Sequence, residues 1–223
     1  MTPPRVGDIL DMLESRYGKQ RPGWPTDPYQ FLVWWHCGYP ASEERCAKGW
    51  AALIRATGIE PEALLRATRS RLTRALRAGG MVPELRARRL QEIAERVLGE
   101  FEGNLAAALK GSLSEMQTRL RSFPGIGPPG ADRILLFSGA APVAAVPSNA
   151  PHVLVRVLRG PEGARYTATY KAAQQLIETD VPARLAARRR AYLLLKRHGQ
   201  ELCRAARPRC GACPLAPSCA FLI

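Results

Sequence analysis

Four cysteines fall near the end of the chain in the order Cys203-x6-Cys210-x2-Cys213-x5-Cys219, all within 17 residues. No other feature constrains the fold as tightly. Free thiols crowded this closely oxidise, so the spacing implies that they are ligands. Cys210 and Cys213 can chelate one centre while Cys203 and Cys219 close the cage around it. Thiolates suit zinc and iron–sulfur clusters alike. A generic zinc site would show two separated Cys-x2-Cys knuckles, whereas this string has one, which favours a cluster. The two remaining cysteines, Cys37 and Cys46, lie far upstream and are read as free thiols in a helical core.

The compartment follows from what surrounds those thiols. The segment Met1-Thr2-Pro3-Pro4-Arg5 lacks the apolar core of a secretory signal. No run approaches the roughly twenty apolar residues of a membrane span. A reducing cytoplasm, where disulfides are rare, is the expected location, with no membrane partner and a monomeric chain. Among 223 residues, 33 Lys and Arg stand against 19 Asp and Glu, a formal charge of +14, and only five of the cations are lysine. Such an excess favours a polyanionic partner, with nucleic acid first and an anionic membrane second. A nucleoid-associated location is expected.

Periodicity predicts an all-α chain. Ile9, Met12 and Leu13 form a first stripe, and the three prolines and two glycines of 18–28 make a loop. A helix is expected from about Tyr29. Cys46, Trp50, Leu53 and Ile54 mark the next, closed by Gly58, and Pro61 suits the first turn of its successor. The segment 69–77 is short and basic. Leu90, Ile93, Ala94, Val97, Leu98 and Phe101 give the best stripe, and Ser112 with Glu115 forms a capping box ahead of Leu113, Met116 and Leu120. The stretch 140–151 loosens and is read as a connection between two halves. Helices resume at 153–158, 166–177 and 184–196.

A second motif sits between two helices, Phe123-Pro124-Gly125-Ile126-Gly127-Pro128-Pro129-Gly130-Ala131. Helix, glycine hairpin, helix is a device for binding phosphate, because glycine permits positive φ and close approach while free amides attract an anion. The same residues also serve as a plain turn, and the motif alone does not choose between the two.

With the cysteine string, the hairpin makes the sequence resemble the endonuclease III family of helix-hairpin-helix DNA glycosylases. That family joins a Leu-Pro-Gly-(Val/Ile)-Gly hairpin to a C-terminal Cys-x6-Cys-x2-Cys-x5-Cys, here 123–127 and 203–219. The segment 28–33 looks like its first barrel helix, and His198-Gly199 precedes the first cysteine as it commonly does there. The resemblance implies an all-α, two-domain fold. A six-helix barrel would span 28–144, with the helix-hairpin-helix at 112–138, and an iron–sulfur cluster domain would be built from 1–27 and 145–223. It implies one structural 4Fe-4S cluster on Cys203, Cys210, Cys213 and Cys219. The implied partner is double-stranded DNA, damaged or abasic, from which family members excise a flipped base.

Departures from the family pattern fall on its chemistry. A bifunctional member needs a lysine two residues after the second hairpin glycine to attack C1′. This chain has Pro129 there, with no lysine between Lys110 and Lys171. The family also needs an aspartate in a Val-Asp-Ser-Asn or Val-Asp-Thr-His context. The sequence here is Val146-Pro147-Ser148-Asn149-Ala150-Pro151-His152, and no aspartate lies between Asp132 and Asp180. Aligning on Ser-Asn puts Pro147 at the aspartate position, and aligning on His152 puts Ala150 there.

Pro40 stands where the family's gap-filling glutamine is expected, and Met81 near its second wedge residue. Pro128 and Pro129 remove two amides, leaving Gly125, Ile126, Gly127 and Gly130 as the implied phosphate donors. Arg204, Arg207 and Arg209, in the first cysteine gap, are expected to point outward to phosphate. Glu43 and Asp132 are the substitute catalytic candidates, although each is also explained as an exposed acid favoured at a helix N-terminus. The expectation is a DNA-binding protein of base-excision repair whose glycosylase and lyase activities are weak, altered or absent. An active glycosylase with relocated catalytic residues and a non-catalytic damage or junction sensor are the alternatives.

Overall fold

The computed structural model describes residues 4–222, and among them every regular element is helical. In chain order these are α1 (Val6–Tyr17), α2 (Pro28–Gly38), α3 (Glu43–Thr57), α4 (Pro61–Arg66), α5 (Arg69–Leu76), α6 (Pro83–Phe101), α7 (Leu105–Ala108), α8 (Leu113–Arg121), α9 (Pro128–Ser138), α10 (His152–Arg159), α11 (Tyr166–Asp180) and α12 (Leu185–Glu201). Short 3-10 turns occupy Arg77–Gly79, Cys210–Ala212 and Ala216–Ser218. None of these helices is long and apolar enough to cross a membrane.

The chain divides into two compact units, 22–127 and 1–21 with 128–223. The boundaries expected from sequence lay at 27/28 and 144/145. The second of them falls earlier because α9 packs on α12.

In the unit of residues 22–127, local chemistry starts the helices. Asp27, Ser42, Thr68 and Ser112 each accept a backbone N–H three residues on, and Ser112 with Glu115 forms a reciprocal capping box. Leu53, Leu64, Leu72, Leu90, Ile93 and Val97 are fully buried between α3, α4, α5 and α6. Ile54 and Leu113, read as members of apolar stripes, are instead 45% and 44% exposed. Each sits at the solvent margin of its helix, where one step of the 3.6-residue period turns a side chain out of the core. Gly79 must be glycine, since a Cβ there would overlap the Cys37 carbonyl oxygen. That close contact ties the turn before α6 to the end of α2.

In the other unit, Ile9 and Leu13 of α1 share a core with Val153 and Val157 of α10, Ile177 of α11 and Leu194 of α12. Arg190 of α12 pairs with Asp11 at 2.7 Å and Glu14 at 2.9 Å, fixing α1 from a distant part of the sequence. Helix α9 is buried from Gly130 to Phe137. Its terminal carbonyls at Leu136 and Phe137 take the Arg189 guanidinium, each at 2.9 Å, so helix-end acceptors do not go unpaired. The segment 140–151 is not a connection between halves. Val143, Ala144, Ala145 and Val146 are buried within this unit, and the chain passes between units only at 21/22 and 127/128.

Candidate functional site

The four C-terminal cysteines line one small pocket, together with Arg156 and His198. All four are free thiols. Two interior helices build the cage. From α10, Arg156 donates to the carbonyls of Arg204 and Ala205 at 2.9 Å each and lies 3.9 Å from Cys203 Sγ, while its Nε is held by Glu162 at 2.6 Å. From α12, His198 Nε2 lies 3.5 Å from Cys213 Sγ, and Tyr17 reaches its Nδ1 at 3.1 Å. His152 Nε2–H donates to the Cys203 carbonyl at 2.6 Å. The first cysteine loop is thereby fixed at its backbone, leaving Arg204, Arg207 and Arg209 exposed.

Burial, opposed by the Arg156 guanidinium and aided by the neighbouring sulfurs of Cys213 and Cys219, leaves the Cys203 thiol pushed up to about 11. Cys213 is raised for the same reasons, burial first. Desolvation and mutual repulsion both oppose thiolates here, and a central cation would reverse both effects. Among the described residues, no three His, Cys, Asp or Glu side chains close around a single metal ion.

The hairpin 123–127 belongs to the unit of residues 22–127. Phe123 is buried under the Arg96 guanidinium, which lies 4.5 Å from its ring, and the Ile126 side chain is buried too. Gly125 has φ +72°, a conformation that needs glycine, and both Gly125 and Gly127 are exposed. His36 of α2 donates Nε2–H to the Pro124 carbonyl at 2.9 Å. Burial lowers the His36 pKa to about 4, and the Arg89 and Arg86 cations add to that, so the ring is neutral near pH 7. Neither His36 nor Arg89 stands out in the sequence. No local signal marks them, because their role depends on contacts made across long stretches of chain.

The other expected positions are scattered. Pro40 is exposed beyond α2, and Met81 is 78% exposed at the tip before α6, beside Val82 at 58%. Val82 has φ +49°, a strained backbone for a β-branched residue. Glu43 is the first residue of α3 and is partly exposed. In the second unit, Pro129 is partly exposed in the first turn of α9, Gly130 is buried, and Pro147 is buried in the 140–151 segment. Asp132 is not an exposed helix-start acid. It is 2% exposed, and its Oδ2 accepts from Tyr170 and Gln174 at 3.3 Å each.

A helix-hairpin-helix joined to a helical unit that ends in a cysteine cage defines the class of fold, that of the endonuclease III-like DNA glycosylases. Solved structures agree. The chain superposes on an endonuclease III trapped as a covalent intermediate with DNA, in an estranged-adenine complex, with TM-score 0.76 and 16% identity over 98% of this chain and 97% of that one. A thermostable thymine-DNA glycosylase gives TM-score 0.75 and 19% identity over 97% and 96%. The H. pylori 3-methyladenine DNA glycosylase bound to 1,N6-ethenoadenine gives 0.62 and 19% over 89% and 99%. No protein-family model and no curated protein matches the sequence.

Proposed function

We propose that the chain is an endonuclease III-like DNA-binding protein of base-excision repair that engages damaged or abasic duplex DNA through its hairpin. Its cysteine cage would carry one 4Fe-4S cluster, and the family's catalytic pair is missing. The observation that carries the reading is the intact glycine hairpin, with Gly125 at φ +72°, leading directly into a helix that has Pro129 where the lysine nucleophile belongs. The binding frame is present and the nucleophile is not. Pro147 stands in the place of the activating aspartate, and a proline side chain can neither accept a proton nor stabilise a cationic sugar.

The cluster is part of the proposal. What supports this part of the reading is that four sulfurs line one pocket and that thiolates are the usual ligands of iron–sulfur clusters. Cys203, Cys210, Cys213 and Cys219 would each hold one corner. A bound cluster supplies structural crosslinking of the loop that carries Arg204, Arg207 and Arg209. Arg156 and His152 hold that loop through its carbonyls.

Base-release assays over a panel of lesions, with borohydride trapping on abasic duplex, test the reading. The expected result is lesion-dependent duplex binding with no trapped adduct and little base release. Robust excision by the unmodified protein would replace this reading with that of an active glycosylase using relocated residues. Binding without preference for lesions would favour a junction sensor.

A further inference from the structure

Pro128 and Pro129 follow the hairpin glycines, so two consecutive backbone positions that would offer N–H groups to a phosphate have none. Ile126 N–H is also spent, on the Phe123 carbonyl at 3.3 Å. A hairpin so depleted keeps only a few donors. Arg89, on α6, lies against it. A Cβ built on Gly125 would stand 3.2 Å from Arg89 Nη1 and 3.3 Å from His36 Cε1.

The electrostatics of this corner are one-sided. Arg89 makes no ion pair or side-chain hydrogen bond among the described residues and is partly exposed. The charged groups acting on His36 are Arg89 and Arg86, both cationic. His36 is itself neutral and spends Nε2–H on Pro124, which fixes the turn without adding charge. A guanidinium has five N–H donors in a fixed fork suited to phosphate oxygens. Here it stands beside an exposed positive-φ glycine with no acid to neutralise it.

We propose that Arg89 is the hairpin's principal phosphate-binding side chain, supplying to a DNA backbone phosphate the donors that Pro128 and Pro129 remove. The proposal rests on the reading of the hairpin as a DNA contact and adds a residue to it. His36 acts as a positioning residue, holding the Pro124 carbonyl so that Gly125 stays against the guanidinium.

The test is duplex binding by fluorescence anisotropy across a salt series, using the full-length holoprotein and an abasic-site duplex. Arg89→Ala is expected to weaken binding about tenfold at low salt and to flatten the slope of log affinity against log salt by about 0.9, the value for one phosphate. Arg89→Lys should keep the slope while giving up part of the affinity, since it preserves charge without the fork. Pro128→Ser combined with Arg89→Ala should recover part of the affinity by restoring an amide. Thermal melting of each variant separates misfolding from a weakened interface, and the Lys variant, which keeps the bulk and charge, still reads the site should Arg89→Ala not fold. Wild-type affinity and slope in folded Arg89→Ala would overturn the proposal while leaving the DNA-binding reading intact. Absence of rescue by Pro128→Ser would overturn the compensation. Failure of the wild-type protein to bind any duplex would remove both.

Discussion

The Tyr170 hydroxyl donates to Asp132 Oδ2 at 3.3 Å, and Gln174, one turn further along α11, reaches the same oxygen at the same distance. The carboxylate thereby joins α9 to α11 inside the unit. Burial raises the Tyr170 pKa, and the Asp132 charge adds to the shift, so the phenol remains protonated and donating. Asp132 is buried and accepts from both side chains. Asp132→Ala should cost about 1–3 kcal/mol by stranding buried donors, while Asp132→Asn, which keeps an acceptor, should cost less. Both should bind DNA as the wild type does. Denaturant midpoints and anisotropy read the two effects, and a loss of function at unchanged stability in Asp132→Asn would favour a catalytic role for Asp132.

Iron content tests the cage. Purified protein should be brown, with about four irons and four acid-labile sulfides per chain, because thiolate-to-iron charge transfer absorbs visible light. Serine at Cys203, Cys210, Cys213 or Cys219 should reduce or abolish that colour. Cys37 and Cys46 are both buried in the other unit, and serine there should leave iron unchanged. Colourless protein with a single zinc would refute the cluster.

Acid stability should depend on His36. Its pKa is about 4 folded, against an ordinary value of 6.5. Below pH 6.5 the unfolded chain takes up a proton at this position that the folded chain refuses, so stability falls as pH drops from 6.5 towards 4 and levels off below. The full loss from this group is about 3 kcal/mol. His152 and His198 are also lowered by burial and steepen the wild-type curve. His36→Gln retains an N–H for Pro124 but does not titrate in this range. Its denaturation free energy should change less between pH 7 and 4 than that of the wild type, and parallel curves would exclude the contribution.

The exposed cations of the cysteine loop and the apolar tip before α6 should separate in their effects. Changing Arg204, Arg207 and Arg209 together to Ala should flatten the salt slope by about 0.9 for each phosphate no longer neutralised, equally on intact and damaged duplex. Met81→Ala should weaken binding to lesion-containing DNA more than to intact DNA, since an apolar wedge acts where stacking is already poor. Equal losses on both duplexes would argue against a wedge.

Features that depend on neighbours in sequence are legible without the fold. The Ser112–Glu115 box and the Gly58 stop are local, and each occupies its expected place; the cysteine spacing brings four thiols to one pocket. Non-local contacts are not readable in this way. Val143 to Val146 form an apolar run too short to show a period, so they read as a connection although they are buried. Asp132 looks like an ordinary helix-start acid because nothing adjacent indicates Tyr170. Arg89 is one of many arginines in α6 and nearby, and only the approach of Gly125 distinguishes it.

The unit built from both chain ends also sets an order of folding. Asp11 and Glu14 wait for Arg190, some 176 to 179 residues later, whereas the unit of residues 22–127 contains its own contacts. Helix α1 packs on α10, α11 and α12, all of which follow that unit in the chain. The intervening unit is meanwhile complete and free to fold as a contiguous piece. Closing so long a loop is slow compared with local helix pairing. Amide protection in a refolding experiment should therefore rise in α3, α5 and α6 before α1, and the cysteine cage should become competent for metal only at the last step.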